Sequence, residues 1–133
     1  MNEDYECGRR ANVSVRYCGP VPFGEAADVL SRYDALLHPT LGENFGHVIL
    51  EALAAGCPVV VSDATPWRDL EAKGVGWDIP LGAPDRFRAV LSKLVDMDAE
   101  EHRRSSEAAR AYATEVSASR ATIDANRSLF TAP

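Results

Sequence analysis

A chain of 133 residues, 46% hydrophobic and 26% charged, is long enough for one modest core. No stretch is long or apolar enough to read as a membrane-spanning helix. A net charge of −6 argues against broad nucleic-acid binding, which needs a basic face.

The polar, acidic opening "MNEDYECGRR" reads as a lead-in and not as a secretory signal. "NVSVRYCGPVP" alternates and is β-branched, so residues 13–18 are expected to form a strand ending at Gly19 and Pro20. "FGEAADVLSRYD" carries Ala26, Val29, Leu30 and Tyr33 at helical spacing. "ALLHP" is a short buried strand, followed by the loop "TLGENFG" and a helix over 46–55. Gly56 is placed for the left-handed C′ position, with Pro58 beyond it. "PVVVSD" is a second buried strand. "TPWRDLEAKG" reads as a short helix, with Thr65 as N-cap, Pro66 in the first turn and Gly74 as terminator. "VGWDIP" reads as a last edge strand. "APDRFRAVLSKLVDMD" is amphipathic through Phe87, Val90, Leu91, Leu94 and Val95. Two further helices are expected in "AEEHRRSSEAARAYATEV" and "SASRATIDANRSLF", the last packing through Ile123, Leu129 and Phe130. Cys7, Cys18 and Cys57 show no metal-ligand spacing, which fits reduced thiols in a cytoplasmic protein.

Short apolar strands alternating with helices imply an α/β fold: a parallel sheet covered on both faces. Ligands of such sheets bind outside the carboxyl ends of the strands, and "TLGENFG" lies at such an end. The helix that follows offers free N–H groups and a positive dipole end there. Gly46 lets a ligand approach without a Cβ in the way. That combination suits a phosphate or diphosphate, although the loop has neither a P-loop nor a dinucleotide fingerprint. Val48, Ile49, Leu50, Ala52, Leu53 and Ala54 surround Glu51 in the pattern of a helix buried all round. A carboxylate there needs a partner. Its side chain leans toward the helix start, roughly 7 Å away at about 1.5 Å per residue. Two readings stay open: Glu43 and Glu51 bind sugar hydroxyls on either side of an anion, or Glu51 bridges to an arginine and Glu43 is solvated.

Glu43 and Glu51 stand in an EX7E arrangement, and "ENFGHVILEALAAGCPVVVSD" resembles the signature of the retaining GT-B glycosyltransferases of family 4, the glycosyl transferases group 1. The resemblance runs over roughly 13–130, through "VSVRYCGPVP", "YDALLHPT" and "TPWRDLEAKGVGWDIPL". It implies an incomplete, Rossmann-like, nucleotide-sugar-binding C-terminal domain spanning 1–133. It also implies transfer of a sugar from a UDP-, GDP- or similar donor to an acceptor hydroxyl. By the same resemblance Glu43 contacts the donor sugar and Glu51 the ribose. The amides of Phe45, Gly46, His47 and Val48 hold the diphosphate, and Gly19, Pro20 and Val21 flank the base. No catalytic acid, base or nucleophile is assigned, and neither a metal nor a separate cofactor is expected.

The departures bear on activity. Relatives in the family have an N-terminal acceptor domain, and their donor domain opens with two strands bearing an Arg/Lys pair that neutralises the diphosphate. None of these is found here, and Arg9 and Arg10 lie in the wrong place to substitute. The family's sheet order is 3-2-1-4-5-6, and the segments here match strands 3, 4, 5 and 6. Either the first strand closes the gap, or an edge stays open for self-association. A truncated module that at most binds nucleotide weakly is therefore the alternative to an active transferase. The expected location is cytoplasmic, peripheral to the membrane through a parent protein. His38 reads as a packed histidine, His47 as a local variant and His102 as a residue on a polar helix.

Overall fold

The computed structural model describes residues 13–22 and 24–131. The valine run of "PVVVSD" forms β2 (Val59–Ser62), and all four of its residues are buried. β1 (Leu36–His38) pairs with it in parallel through Leu36↔Val59 and His38↔Val61. β3 (Gly76–Ile79) pairs on the other side, also in parallel, with Val60 opposite Trp77. The sheet order is therefore β1-β2-β3.

Side chains alternate along a strand, and the alternation of β2 divides the core. Val59 and Val61 pack with Ile49, Leu53, Leu70 and Val75 on one face. Val60 joins Trp77 and Ile79 on the other. The first face is covered by α2 (His47–Ala54) and α4 (Ala99–Thr131), and the second by α3 (Pro84–Asp96). α1 (Ala26–Leu30) packs beside α2. This is the α/β architecture that the alternating pattern implies.

α4 approaches α2 through two alanines, Ala109 and Ala113, both buried. Their small side chains let the helices close. A Cβ on Gly56, just past α2, would meet Arg110 of α4 at 2.7 Å. Gly56 does take the left-handed conformation, at φ 77°.

Several local expectations give way. Residues 13–18 form no strand; Val13, Val15 and Tyr17 are exposed, Tyr17 by 87%. Alternation alone does not make a strand without a neighbour to pair with, and no described strand borders the outer edge of β1. "TPWRDLEAKG" is a run of turns, not a helix. Asp69 has a positive φ of 56°, which breaks helical continuity. Thr65 Oγ1 accepts from Trp67 N–H at 3.3 Å, a turn contact in place of a helix cap. The two last helices are one, since the serines at 117 and 119 carry no backbone break. On α3, Phe87, Val90 and Leu94 pack inward, whereas Val95 is 83% exposed. Ile123 is exposed; the side chains of Leu129 and Phe130, with Cys7, Arg9 and Arg10, lie outside the described residues. No described helix is long and apolar enough to cross a membrane.

Two outcomes follow from this packing. A Cβ on Gly76 would fall inside the contact distance of the Val59 carbonyl oxygen. Gly76→Ala should therefore cost about 1–3 kcal/mol, read as a lower midpoint in thermal denaturation. Burial, reinforced by the charge of Asp34, pushes the Cys57 thiol from 9.0 to about 11. A raised folded-state value means stability is fully present below 9 and falls as pH rises toward 11. Alkaline denaturation followed by circular dichroism should show this loss, and Cys57→Ser should flatten it.

Candidate functional site

The carboxyl ends of β1 and β2 lead into two loops that are tied to each other. Ser62 Oγ donates to the Thr40 carbonyl. Trp67 Nε1–H donates to the Phe45 carbonyl at 2.6 Å. The Trp67 ring lies between Phe45, at 5.5 Å, and Tyr112 of α4, at 5.9 Å. Arg68 donates to the carbonyls of Asp63 and Thr65 and holds the second loop to itself. The result is a fixed rim around the start of α2.

Gly46 stands at the N-cap of α2 with φ 80°. That conformation is glycine's, and a Cβ there would meet Ile49 Cδ1 at 2.8 Å. No side chain caps the helix. The Gly46 carbonyl accepts from Ile49 N–H at 3.0 Å and Leu50 N–H at 3.4 Å. The N–H groups of His47 and Val48 have no partner among the described residues, so the first turn presents unpaired donors. Phe45 is half-buried and His47 exposed, their rings in edge contact at 5.1 Å. Arg120 of α4 places its guanidinium 3.8 Å from the Phe45 ring centre.

Glu43 lies in the same loop, half-buried, with its Oε1 2.9 Å from His38 Nε2. It is therefore neither freely solvated nor unpartnered. Glu51 departs from its expected setting. α2 buries Ile49, Ala52 and Leu53 only, and Glu51 is exposed together with His47 and Ala54. The helix is apolar in composition but sided in packing, because α1 and α4 leave this face uncovered. Among the described residues Glu51 has no arginine partner. Gly19 is half-buried with φ 75°, and Pro20 and Val21 are exposed. Among the described residues no hydrogen bond joins these three to the loop of Glu43.

The sequence pattern gives His38 only as a packed histidine and assigns no role at this rim to Trp67 or Arg120. His38 could have been found from a carboxylate five residues on, across a loop. Trp67 belongs to a segment read as helix. Arg120 is 75 positions beyond Phe45 and left no local signal. His102 Nε2 is buried 3.2 Å from Asp34 Oδ1, off-line for a hydrogen bond, so this polar-helix residue packs against the turn before β1. Among the described residues no three His, Cys, Asp or Glu side chains gather as metal ligands.

The family model described as glycosyl transferases group 1 matches residues 7–112. A phosphatidyl-myo-inositol mannosyltransferase of Mycobacterium tuberculosis is 37% identical over 89 residues, covering 65% of this chain and 23% of that protein. Proteins of the same name from Mycolicibacterium smegmatis and Mycobacterium leprae are each 35% identical over 86 residues, covering 63% of this chain and 22% and 23% of theirs. The match thus spans under a quarter of the length of these relatives. No solved structure gives a significant match.

Trp67→Phe keeps an aromatic ring and removes the donor to Phe45. It should destabilise by about 1–2 kcal/mol and speed amide exchange at residues 45–48. Unchanged exchange there, measured by hydrogen–deuterium NMR, would show that the hydrogen bond does not fix the rim.

Proposed function

The chain belongs to the glycosyl transferases group 1 family, and from that premise we propose that it is the donor-binding part of a retaining, nucleotide-sugar-dependent glycosyltransferase. The observation that carries the reading is the uncapped first turn of α2, entered through a left-handed glycine. Backbone N–H groups at such a turn match the oxygens of a diphosphate. Arg120 beside Phe45 adds positive charge to the same loop. Glu43 takes the donor sugar, with an oxygen not engaged by His38. Glu51, one or two turns along the exposed face of α2, takes the ribose hydroxyls. Carboxylates suit both tasks because each accepts charge-assisted hydrogen bonds. Gly19, Pro20 and Val21 flank the base.

In the parent protein the bond between the sugar's anomeric carbon and the diphosphate breaks. The acceptor oxygen bonds to the same face of that carbon, and its proton passes to the leaving diphosphate. This chain's part is to hold the diphosphate and orient the sugar. The mannosyltransferase relatives support a mannosyl donor. Effective transfer also needs an acceptor positioned at the anomeric carbon, and the stretch described is read as the donor side of that encounter. Among the described residues the outer edge of β1 is unpaired, which also supports self-association.

Titrating GDP and UDP into the labelled chain should move the amide signals of residues 44–51 at millimolar ligand. Absence of any shift there sinks the diphosphate assignment. Glu51→Gln should weaken nucleotide binding and leave the melting temperature nearly unchanged; the reverse pattern would make Glu51 a folding residue.

A further inference from the structure

The sheet fixes the backbone of β1 through its pairing with β2, and His38 is the last residue of that strand. Its half-buried imidazole reaches Glu43, five residues further on. An ionised carboxylate only accepts hydrogen bonds. His38 Nε2 therefore carries the proton and donates to Glu43 Oε1 at 2.9 Å. Within the loop, Thr40 Oγ1 donates to the Gly42 carbonyl at 3.0 Å and accepts from Gly42 N–H at 3.3 Å, and Thr40 is tied to both strands. Thr40 N–H donates to the His38 carbonyl at 2.9 Å, and the Thr40 carbonyl accepts from Ser62 of β2. Past Thr40 the chain runs through Leu41, 91% exposed, and Gly42. A glutamate there would sample many rotamers without a second anchor.

From this geometry we infer that His38 is a positioning residue for donor-sugar recognition. It locks one oxygen of Glu43 to the rigid end of β1 and leaves Oε2, which no other described residue engages, to accept from a sugar hydroxyl. The inference rests on the reading of Glu43 as the donor-sugar ligand. Its physical content is preorganisation: the glutamate's freedom is spent on folding and not again at binding. The effect must therefore appear in ligands that carry the sugar and be absent from the bare nucleoside diphosphate.

The test compares GDP-mannose with GDP on the chain itself by isothermal titration. His38→Leu should lower GDP-mannose affinity about 10-fold, the scale of a lost charge-assisted hydrogen bond, and leave GDP affinity unchanged. His38→Gln keeps an N–H donor at a similar reach and should recover most of the loss. Glu43→Ala serves as the reference. If Glu43→Ala weakens GDP-mannose selectively and His38→Leu does not, the inference falls and the reading of Glu43 stands. If neither does, both fall. Equal weakening of GDP and GDP-mannose by His38→Leu would make the histidine a structural residue and overturn the inference. Ring ¹⁵N NMR of the unaltered chain gives a readout independent of how the variants fold. A proton on Nε2 is expected, and an unprotonated Nε2 overturns the proposal.

Discussion

The structure depends on burying a four-residue strand on both faces. β2 contributes Val59 and Val61 to one core and Val60 to the other. A strand buried in this way must place its backbone polar groups in neighbouring strands, and β1 and β3 supply them in parallel. Parallel pairing brings the carboxyl ends of all three strands to one edge. The loops of the candidate site meet there because both pairings of the middle strand are parallel.

The same edge explains why one helix serves two ends. The buried face of α2 completes the first core with Ile49, Ala52 and Leu53. Its first turn is left without a side-chain cap, and Gly46 takes a left-handed conformation that glycine adopts at least cost. A protein optimised only for stability would place Ser, Asp or Asn at that N-cap. Here the N–H groups of His47 and Val48 are instead left without a partner among the described residues. Trp67 limits the cost by tying Phe45 to the neighbouring loop and packing on Tyr112 of α4.

Charge around the site is arranged in pairs across elements. His38 on β1 meets Glu43 in the loop. Arg120 on α4 stacks on Phe45 ahead of α2. Lys73 Nζ lies 4.8 Å from the ring centre of Tyr112. Each contact joins a cation or a histidine on one element to a loop or helix of another. They hold the rim in register with the sheet without adding to the apolar core.

The sequence by itself determined the fold class, the three strands of the sheet, α2 and its glycine boundaries, and the family. These rest on short-range signals: apolar runs, a Gly at each end of a helix, and two glutamates eight residues apart. It misjudged the segments whose state depends on a distant neighbour. Residues 13–18 alternate like a strand but find no described partner. "TPWRDLEAKG" has caps at helical spacing, yet Trp67 is drawn to Phe45 and Asp69 turns left-handed. The apolar neighbours of Glu51 imply burial; which face of α2 is covered is decided by where α1 and α4 lie. Ala109 and Ala113 gave no hydrophobic signal, although their small size is what lets α4 close on α2. The pairing of His38 with Glu43 and the placement of Arg120 likewise belong to the tertiary structure. Local pattern sets what a segment can form, and only the packing of elements far apart in the chain decides which faces are covered and which charges meet.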